Sequence, residues 1–153
     1  MSFEEELEKN GKLIYTNKGV SMMPLLRQGK DVMVIESCKA EDLKKFDAVL
    51  FVRNRPNKKE YILHRILKVY DNGTFWIVGD NCTSGEIVEG KDILGRLTSV
   101  LRDGKRIYVT DKDYLRYVHL WCDFYLIRFF FLRIKHFIYR CYSFVKRRVV
   151  HGK

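Results

Sequence analysis

The most constraining feature of this 153-residue sequence is an abrupt change of local pattern near residue 110. Before it, short runs rich in Val, Ile, Leu, Phe and Tyr alternate with turn signals, a pattern typical of antiparallel β-structure. After it, no Gly or Pro occurs from Asp111 to His151, and the pattern is helical. We therefore expect a mainly β, partly barrel-like domain over residues 1–112 and an amphipathic C-terminal α-helix over residues 113–153.

Turn signals divide the β-region into six predicted strands. Asp71-Asn72-Gly73 and Asp103-Gly104 predict two hairpins, because Asn and Gly readily adopt the positive φ angles of tight turns. Residues 2–10 predict a short helix that ends at Gly11. The predicted strands are Asp31–Glu36, Ala48–Arg53, Glu60–Tyr70, Thr74–Val78, Ile93–Leu101 and Arg106–Thr110.

The C-terminal segment carries most of the net charge of +10, with nine Lys and Arg against two Asp from residue 113 onward. At 100° per residue, the basic residues of 128–148 fall within roughly 160° of arc, opposite an aromatic side. This segregation predicts a helix that lies on a membrane surface, whereas a nucleic-acid site would interleave aromatic and basic residues. A helix packed on the β-domain with a solvated basic face is the open alternative. The apolar side comprises Phe130, Phe131, Ile134, Phe137, Ile138, Cys141, Tyr142, Phe144 and Val145.

The composition also indicates whether the chain should bind a metal or cofactor and how it should associate with a membrane. The four cysteines form no CxxC pair and no cluster with His, so we expect neither a metal site nor a cofactor. The acidic first six residues do not resemble a secretory signal. No run approaches the ~18–20 uncharged apolar residues of a spanning helix. Membrane association is therefore expected to be peripheral or interfacial.

Three short stretches contain candidate catalytic residues. Ser21 lies in a Gly- and Pro-punctuated stretch that can form a sharp turn, and a serine hydroxyl needs a neighbouring base to become a nucleophile. His64 lies in a β-type run, and its ordinary pKa of ~6.5 suits a general base. Asp80 follows a predicted strand, where a carboxylate could orient the imidazole. Each stretch taken alone is equally compatible with a structural role.

The sequence resembles the type I signal peptidases in three motifs that follow one another in the same order. These are Ser21-Met22-Met23-Pro24, His64-Arg65 and Gly79-Asp80-Asn81. The likeness is to the branch of the endoplasmic reticulum, archaea and some Gram-positive bacteria, in which His replaces Lys as the base. Further blocks at residues 28–34, 46–51 and 92–96 extend it over about residues 14–103. The resemblance implies a signal-peptidase-type β-domain and a serine endopeptidase. Its substrates would be precursor proteins, cut at signal or leader peptides after small side chains.

By position, the resemblance assigns Ser21 as nucleophile, His64 as general base and Asp80 as the acid. It also implies that the Ser21 amide helps to bind the oxyanion. The family has a further Asp followed by an Arg; here Glu86 falls about where that Asp should be, and the Arg is absent. We therefore expect Asp80 to orient His64, with Glu86 as the alternative. Relatives usually carry a transmembrane helix before the nucleophile. We expect the C-terminal helix to take the place of that anchor, and the side of the membrane on which the site lies stays open.

Two other functions are compatible with parts of the sequence. LexA-like repressors resemble this family around the nucleophile, but they use a Lys base and an N-terminal helix-turn-helix, for which the sequence has no room. A catalytically inactive membrane-surface binding module on a peptidase scaffold is the stronger alternative. The basic tail and the missing Arg favour it, whereas the joint presence of Ser21, His64 and Asp80 favours an enzyme.

Overall fold

The computed structural model describes residues 2–56 and 58–150, without the side chains of residues 144, 145 and 147–150. Residue 1 of the predicted β-domain and the last three residues of the predicted helix lie outside it. In chain order the helices and strands are α1 (Phe3–Asn10), β1 (Lys12–Thr16), β2 (Val32–Glu36), β3 (Ala48–Arg55), β4 (Lys58–Val69), β5 (Thr74–Val78), β6 (Gly85–Glu89), β7 (Ile93–Arg102), β8 (Lys105–Tyr108), α2 (Lys112–Cys122) and α3 (Tyr125–Val150).

The described strands form one antiparallel sheet in the order β1-β2-β7-β3-β4-β5-β6, with β8 paired to β7. The six predicted strands are confirmed, with end shifts of one or two residues. So is the first helix, which ends at Gly11 with a positive φ of 68°. Strands β1 and β6 were not predicted: each has only five residues, and Lys, Thr, Gly or Glu at their ends obscures the apolar alternation.

The predicted partial barrel is wrong in one respect, because the sheet of the described residues is open. Closure would require β1 and β6, the two ends of the strand order, to pair with each other. Helices cover one face of the sheet instead. Leu7 of α1 and Val118 of α2 are buried in the same cluster as Ile35 and Leu50 of the sheet. This packing shields apolar surface that a closing strand would cover in a barrel.

The predicted single C-terminal helix is two helices, separated at Asp123 and Phe124. Tyr114, Val118 and Cys122 are four residues apart on α2, so one face of that helix is buried against the sheet. The boundary at residue 112 therefore marks the change from strands to helices, while the hydrophobic core continues across it. Neither Gly nor Pro marks the break between α2 and α3, so the sequence pattern did not reveal it.

Helix α3 packs on the domain only near its beginning. Arg128 and Leu132 are buried, whereas every side chain from residue 133 to residue 142 is exposed. Phe130 and Phe137 are 62% and 67% exposed, which contradicts the alternative in which this apolar face packs on the β-domain. Neither α3 nor another helix of the described residues combines the length and apolar character required to cross a bilayer.

Candidate active site

Ser21 lies in the connection between β1 and β2. Asn17 begins this loop, donating from Nδ2 to the Gly19 carbonyl at 2.8 Å and accepting the Gly29 N–H on its own carbonyl at 2.7 Å. Met22 and Leu26 are buried in the core, 1% and 0% exposed. Because Met22, Leu25 and Leu26 are buried, the loop is anchored in the core, while Ser21 itself is partly exposed.

The Gly79-Asp80-Asn81 turn holds this loop from the other side. The Asn81 backbone N–H donates to the Ser21 carbonyl at 2.7 Å, and its Nδ2 donates to the Val20 carbonyl at 3.2 Å. A methyl group added at Gly79 would lie 2.8 Å from the Ser21 carbonyl oxygen and 2.9 Å from His64 Nε2. Only glycine therefore fits at this position, and Ser21 and His64 converge on it.

Strand register explains how His64 reaches this point. Arg65 of β4 is paired with Val78, the last residue of β5, so His64 and Gly79 are the next residues across the pair. His64 and Ile66 lie on the same face of β4. Ile66 is paired across the strands with Ile77 of β5, and Ile77 is paired in turn with Glu86 of β6, so all of these side chains lie on that face. The sheet therefore presents His64 and Glu86 on the same face.

The His64 imidazole is buried, with 8% of the residue exposed, and its ring lies 6.0 Å from that of Phe51. The pKa of His64 is lowered from 6.5 to about 4, mainly by burial; the charge of Arg53 contributes to the lowering, while the charges of Glu86 and Asp80 oppose it. A neutral imidazole at pH 7 keeps a lone pair for a proton. His64 Nδ1 is buried without a hydrogen-bond partner among the described residues, 4.0 Å from Glu86 Oε1.

The carboxylate of Asp80 is directed away from His64. It is fully buried and accepts two hydrogen bonds from Arg65, Nε to Oδ1 at 2.9 Å and Nη2 to Oδ2 at 2.8 Å. Tyr117 of α2 donates to Oδ2 at 2.9 Å, and Trp121 donates to the Asp80 carbonyl at 2.9 Å. Burial alone would lower the pKa of Arg65, but Asp80 raises it well above its ordinary value, so the guanidinium stays charged.

Glu86 is the carboxylate that faces the imidazole. Its Oε2 accepts from Arg53 Nε at 2.9 Å, and Arg53 Nη2 forms a second contact to Oε1. The Arg that the family motif places after its acid is missing here, yet Arg53 on β3 supplies a guanidinium to Glu86. These contacts favour Glu86 over Asp80 as the acid that orients His64, the reverse of the preference from sequence.

The hydroxyl and the N–H of Ser21 make no hydrogen bond to any other part of the chain that the structure describes. Catalytic hydrogen bonds are often long or absent without substrate and shorten when it binds. An unengaged N–H beside the hydroxyl is the donor that an oxyanion requires. The described contacts thus leave the Ser21 hydroxyl and N–H unengaged, as nucleophilic attack by Ser21 would require.

A groove of about 410 Å³ adjoins Ser21. Tyr15 of β1 and Tyr61 of β4 line it, and the Phe3 ring lies 4.8 Å and 4.6 Å from their rings, so α1 forms part of its wall. Met33 and Leu50 line it from the sheet and make part of the groove apolar. The groove is thus positioned to bind side chains next to the bond that Ser21 would attack.

We predict that Asp80→Asn and Glu86→Gln affect different properties. Asp80→Asn leaves the buried Arg65 charge uncompensated, which should reduce the free energy of unfolding by about 3–5 kcal/mol and Tm by on the order of 10 °C. Adding Arg65→Met should restore part of this loss, because no unpaired charge is left. Thermal unfolding of the single and double variants provides the measurement; an unchanged Tm for Asp80→Asn would contradict the structural role.

Glu86→Gln should instead preserve Tm to within a few degrees, because Glu86 is partly exposed, and should reduce turnover. Loss of the orienting acid in other triads lowers turnover by ~10⁴, and we expect a smaller factor of ~10²–10³ because the 4.0 Å separation is long. Since Glu86 raises the pKa of His64, its removal should also shift the acid limb of activity to lower pH. Equal turnover in the variant and the parent would show that Glu86 does not act as a third catalytic residue beside Ser21 and His64.

Sequence reasoning missed the roles of Arg53, Arg65, Tyr117 and Trp121. For Arg65 a signal was present: strand alternation puts it on the same face as Leu63 and Leu67, and a charge on an apolar face requires a buried counterion. For Tyr117 and Trp121 there was none, because their contacts depend on how α2 packs. No known protein-family model matches this sequence, and no curated protein matches it as a relative.

Proposed function

We propose that this protein is a serine endopeptidase that cleaves signal or leader segments from precursor proteins, with Ser21 as nucleophile and His64 as general base. The observation that carries the proposal is the convergence of the Ser21 backbone carbonyl and His64 Nε2 on Gly79, where an added methyl group would lie 2.8 Å from one and 2.9 Å from the other. A buried imidazole with a pKa of about 4 adds support, because it is neutral at physiological pH. The ordered motifs shared with type I signal peptidases suggest the substrate class.

In the proposed mechanism, Ser21 Oγ attacks the carbonyl carbon of the scissile peptide while His64 Nε2 accepts the hydroxyl proton. The Ser21 N–H stabilises the negative charge on the carbonyl oxygen of the tetrahedral intermediate. The intermediate collapses as the C–N bond breaks, and His64 returns the proton to the leaving amine. Water then attacks the acyl-enzyme while His64 accepts its proton, and His64 returns that proton to Ser21 Oγ as the ester bond breaks and the carboxylic acid is released.

Glu86 has the role of orienting acid in this proposal. When it accepts from Nδ1–H, the lone pair of the imidazole is on Nε2, the nitrogen that lies beside Gly79. Arg53 holds the Glu86 carboxylate in place. Asp80 is a positioning residue: through Arg65 and Tyr117 it fixes the turn from which Asn81 holds the Ser21 loop.

The proposal is tested with two quenched-fluorescence peptides that differ only before the scissile bond. One carries Ala at the positions preceding the cut, and the other carries Phe at the same positions. We expect cleavage of the Ala peptide alone, because the resemblance to type I signal peptidases implies small side chains before the cut. Cleavage of neither peptide, or of both at equal rates, would contradict the proposed substrate class.

A catalytically inactive membrane-surface module is the second candidate. The absence of a hydrogen bond from Ser21 Oγ to His64 among the described residues favours it. That candidate predicts no cleavage of any peptide and no covalent reaction of Ser21 with a serine-directed probe.

We further propose that the enzyme acts at a membrane surface. The exposed stripe of α3 is defined here as Ile127, Phe130, Phe131, Ile134, Phe137, Ile138 and Tyr142, all of which are exposed. Arg133 and Arg140 flank it and are also exposed. Aromatic residues bordered by basic ones suit insertion at the boundary of acyl chains and anionic headgroups.

We predict that deletion of residues 133–153 releases the protein from vesicles with little loss of stability. Residues 133–142 are exposed, so their removal uncovers little core, whereas deletion from residue 113 would remove Tyr114, Val118 and Cys122 from it. Flotation with anionic vesicles, together with Tm and cleavage of a soluble peptide, measures the effect. If the intact protein fails to float, or if the deletion lowers Tm sharply, the proposed membrane role of α3 is wrong.

A further inference from the structure

A second groove, of about 600 Å³, lies between the Ser21 loop and the two C-terminal helices. Met23 and Pro24 form one wall, and Leu120, Phe124 and Phe131 contribute to the other. It is separate from the groove beside Ser21, and the proposed peptidase mechanism does not use it. Its walls are mainly apolar, which is typical of a site for an apolar or amphipathic ligand.

Arg128 is the unusual residue of this groove. It is 6% exposed, and its Nη1 donates to the Trp121 carbonyl at 3.2 Å. Its Nε and Nη2 are buried and have no hydrogen-bond partner within residues 2–56 and 58–150. The guanidinium lies 5.2 Å from the centroid of Tyr125 and 5.9 Å from that of Trp121, and such contacts compensate a buried charge only in part.

The nearby carboxylates have other partners. Asp123 lies at the break between the helices, and its Oδ2 is 3.0 Å from His119 Nδ1. Asp80 accepts hydrogen bonds from Arg65 and Tyr117. A buried guanidinium with two donor nitrogens outside any hydrogen bond can therefore bind an anion, and no carboxylate of the described residues pairs with it.

We infer that this groove binds an anionic phospholipid, with the headgroup phosphate on Arg128 and an acyl chain along the apolar wall. Guanidinium groups bind phosphate oxygens through paired N–H donors, and Lys135 at the rim adds a second positive charge. Phe131 belongs to both the groove and the exposed stripe, so a lipid could enter from the membrane surface. Because Nε and Nη2 are buried, phosphate binding requires a side-chain movement that uncovers them. The inference rests on the proposed membrane association and is independent of peptidase activity.

The full-length protein and two variants test the inference. Arg128→Met removes the buried charge, and Arg133→Met removes an exposed charge one and a half turns further along the same helix. Arg128→Met should keep or raise Tm, because the charge that it removes is buried and has no counterion. A loss of lipid binding could then not be ascribed to unfolding.

Binding is measured by flotation with vesicles of phosphatidylglycerol in phosphatidylcholine. Arg133→Met should weaken binding about five-fold, as for one basic residue near an anionic surface, and this effect should vanish in about 0.5 M salt. Arg128→Met should weaken binding by ~50-fold, as for loss of charge-assisted hydrogen bonds, and the effect should persist in salt. Inorganic phosphate alone should leave the parental Tm unchanged, since it cannot occupy the apolar wall.

Each contrary outcome has a distinct meaning. Equal losses for the two variants, or a loss for Arg128→Met that disappears in salt, would overturn the lipid site while leaving general membrane attraction in place. A phosphate-induced rise in Tm that Arg128→Met abolishes would identify a free-anion site and overturn the lipid assignment. Failure of the parent to float would overturn both the lipid site and the membrane role. Cleavage of a soluble peptide, measured in parallel, reports the peptidase proposal separately.

Discussion

Ser21→Ala is expected to reduce peptide turnover by a factor on the order of 10⁶, because only substrate binding and oxyanion stabilisation survive removal of the nucleophile. Ser21 is partly exposed and its hydroxyl has no hydrogen bond within the described chain, so the variant should unfold at the parental temperature. Product formation from the Ala-containing peptide, measured at equal protein concentration, provides the test. Near-parental cleavage would rule out Ser21 as nucleophile.

Ser84→Ala is the matched control for this variant. Ser84 is exposed and lies between the Gly79-Asp80-Asn81 turn and β6, close to the site in sequence. Its loss should leave turnover within about two-fold of the parent, the range expected for a surface substitution that removes no catalytic contact. A large effect at both serines would indicate a general disturbance of the loops rather than loss of a nucleophile.

His64→Gln is expected to reduce turnover by a similar factor, because nucleophile and base act as a unit. Gln fills much of the imidazole volume but cannot accept the serine proton at neutral pH. His136→Gln, which alters an exposed residue of α3, should retain full activity. A fully active His64→Gln protein would reduce His64 to a packing residue of β4.

The pH dependence of activity should reflect the buried state of His64. Since burial lowers its pKa from 6.5 to about 4, kcat/KM should stay level as pH falls from 7 to about 5 and should be half lost near pH 4. An exposed His would instead produce this limb near pH 6.5, where sequence alone placed it, and a Lys base would lose activity well above neutrality. If the loss of activity at low pH persists in His64→Gln, a titratable group other than His64 causes it.

The same pKa difference links stability to pH. Between pH 6.5 and about 4 the unfolded chain binds a proton at His64 that the folded chain does not bind, so the fold loses stability as pH falls through this window. His64→Gln should flatten that part of the stability curve. Tm measured at pH 7 and pH 5 in both proteins checks the sign.

Sequence reasoning predicted the strands around His64 well, because long apolar runs and tight-turn residues define their limits. It failed at β6, where Gly85-Glu86-Ile87-Val88-Glu89 is short and polar at both ends. Because β6 was not predicted, the pairing of Ile66 with Ile77 and of Ile77 with Glu86 could not be inferred. The position of Glu86 beside His64 therefore could not be predicted either. The sequence therefore favours Asp80, which matches the family motif and directly follows a predicted strand.

The role of Asp80 could not be predicted because it depends on packing between distant segments. Its partner Arg65 lies on β4 and its second partner Tyr117 on α2, a helix whose separation from α3 has no Gly or Pro signal. The amphipathic pattern of residues 128–148 was visible in the sequence. The sequence did not show which face of the helix would be exposed, because that depends on the burial of Arg128 and Leu132 against the domain.

The most direct test of Ser21 as nucleophile and His64 as base is covalent labelling with a fluorophosphonate, followed by peptide mapping. A fluorophosphonate reacts with a serine only when a neighbouring base activates the hydroxyl. We predict one labelled residue, Ser21, in the parental protein, and loss of labelling in both Ser21→Ala and His64→Gln. An unlabelled parent, label on another serine, or undiminished labelling of Ser21 in His64→Gln would contradict the proposed Ser21–His64 pair.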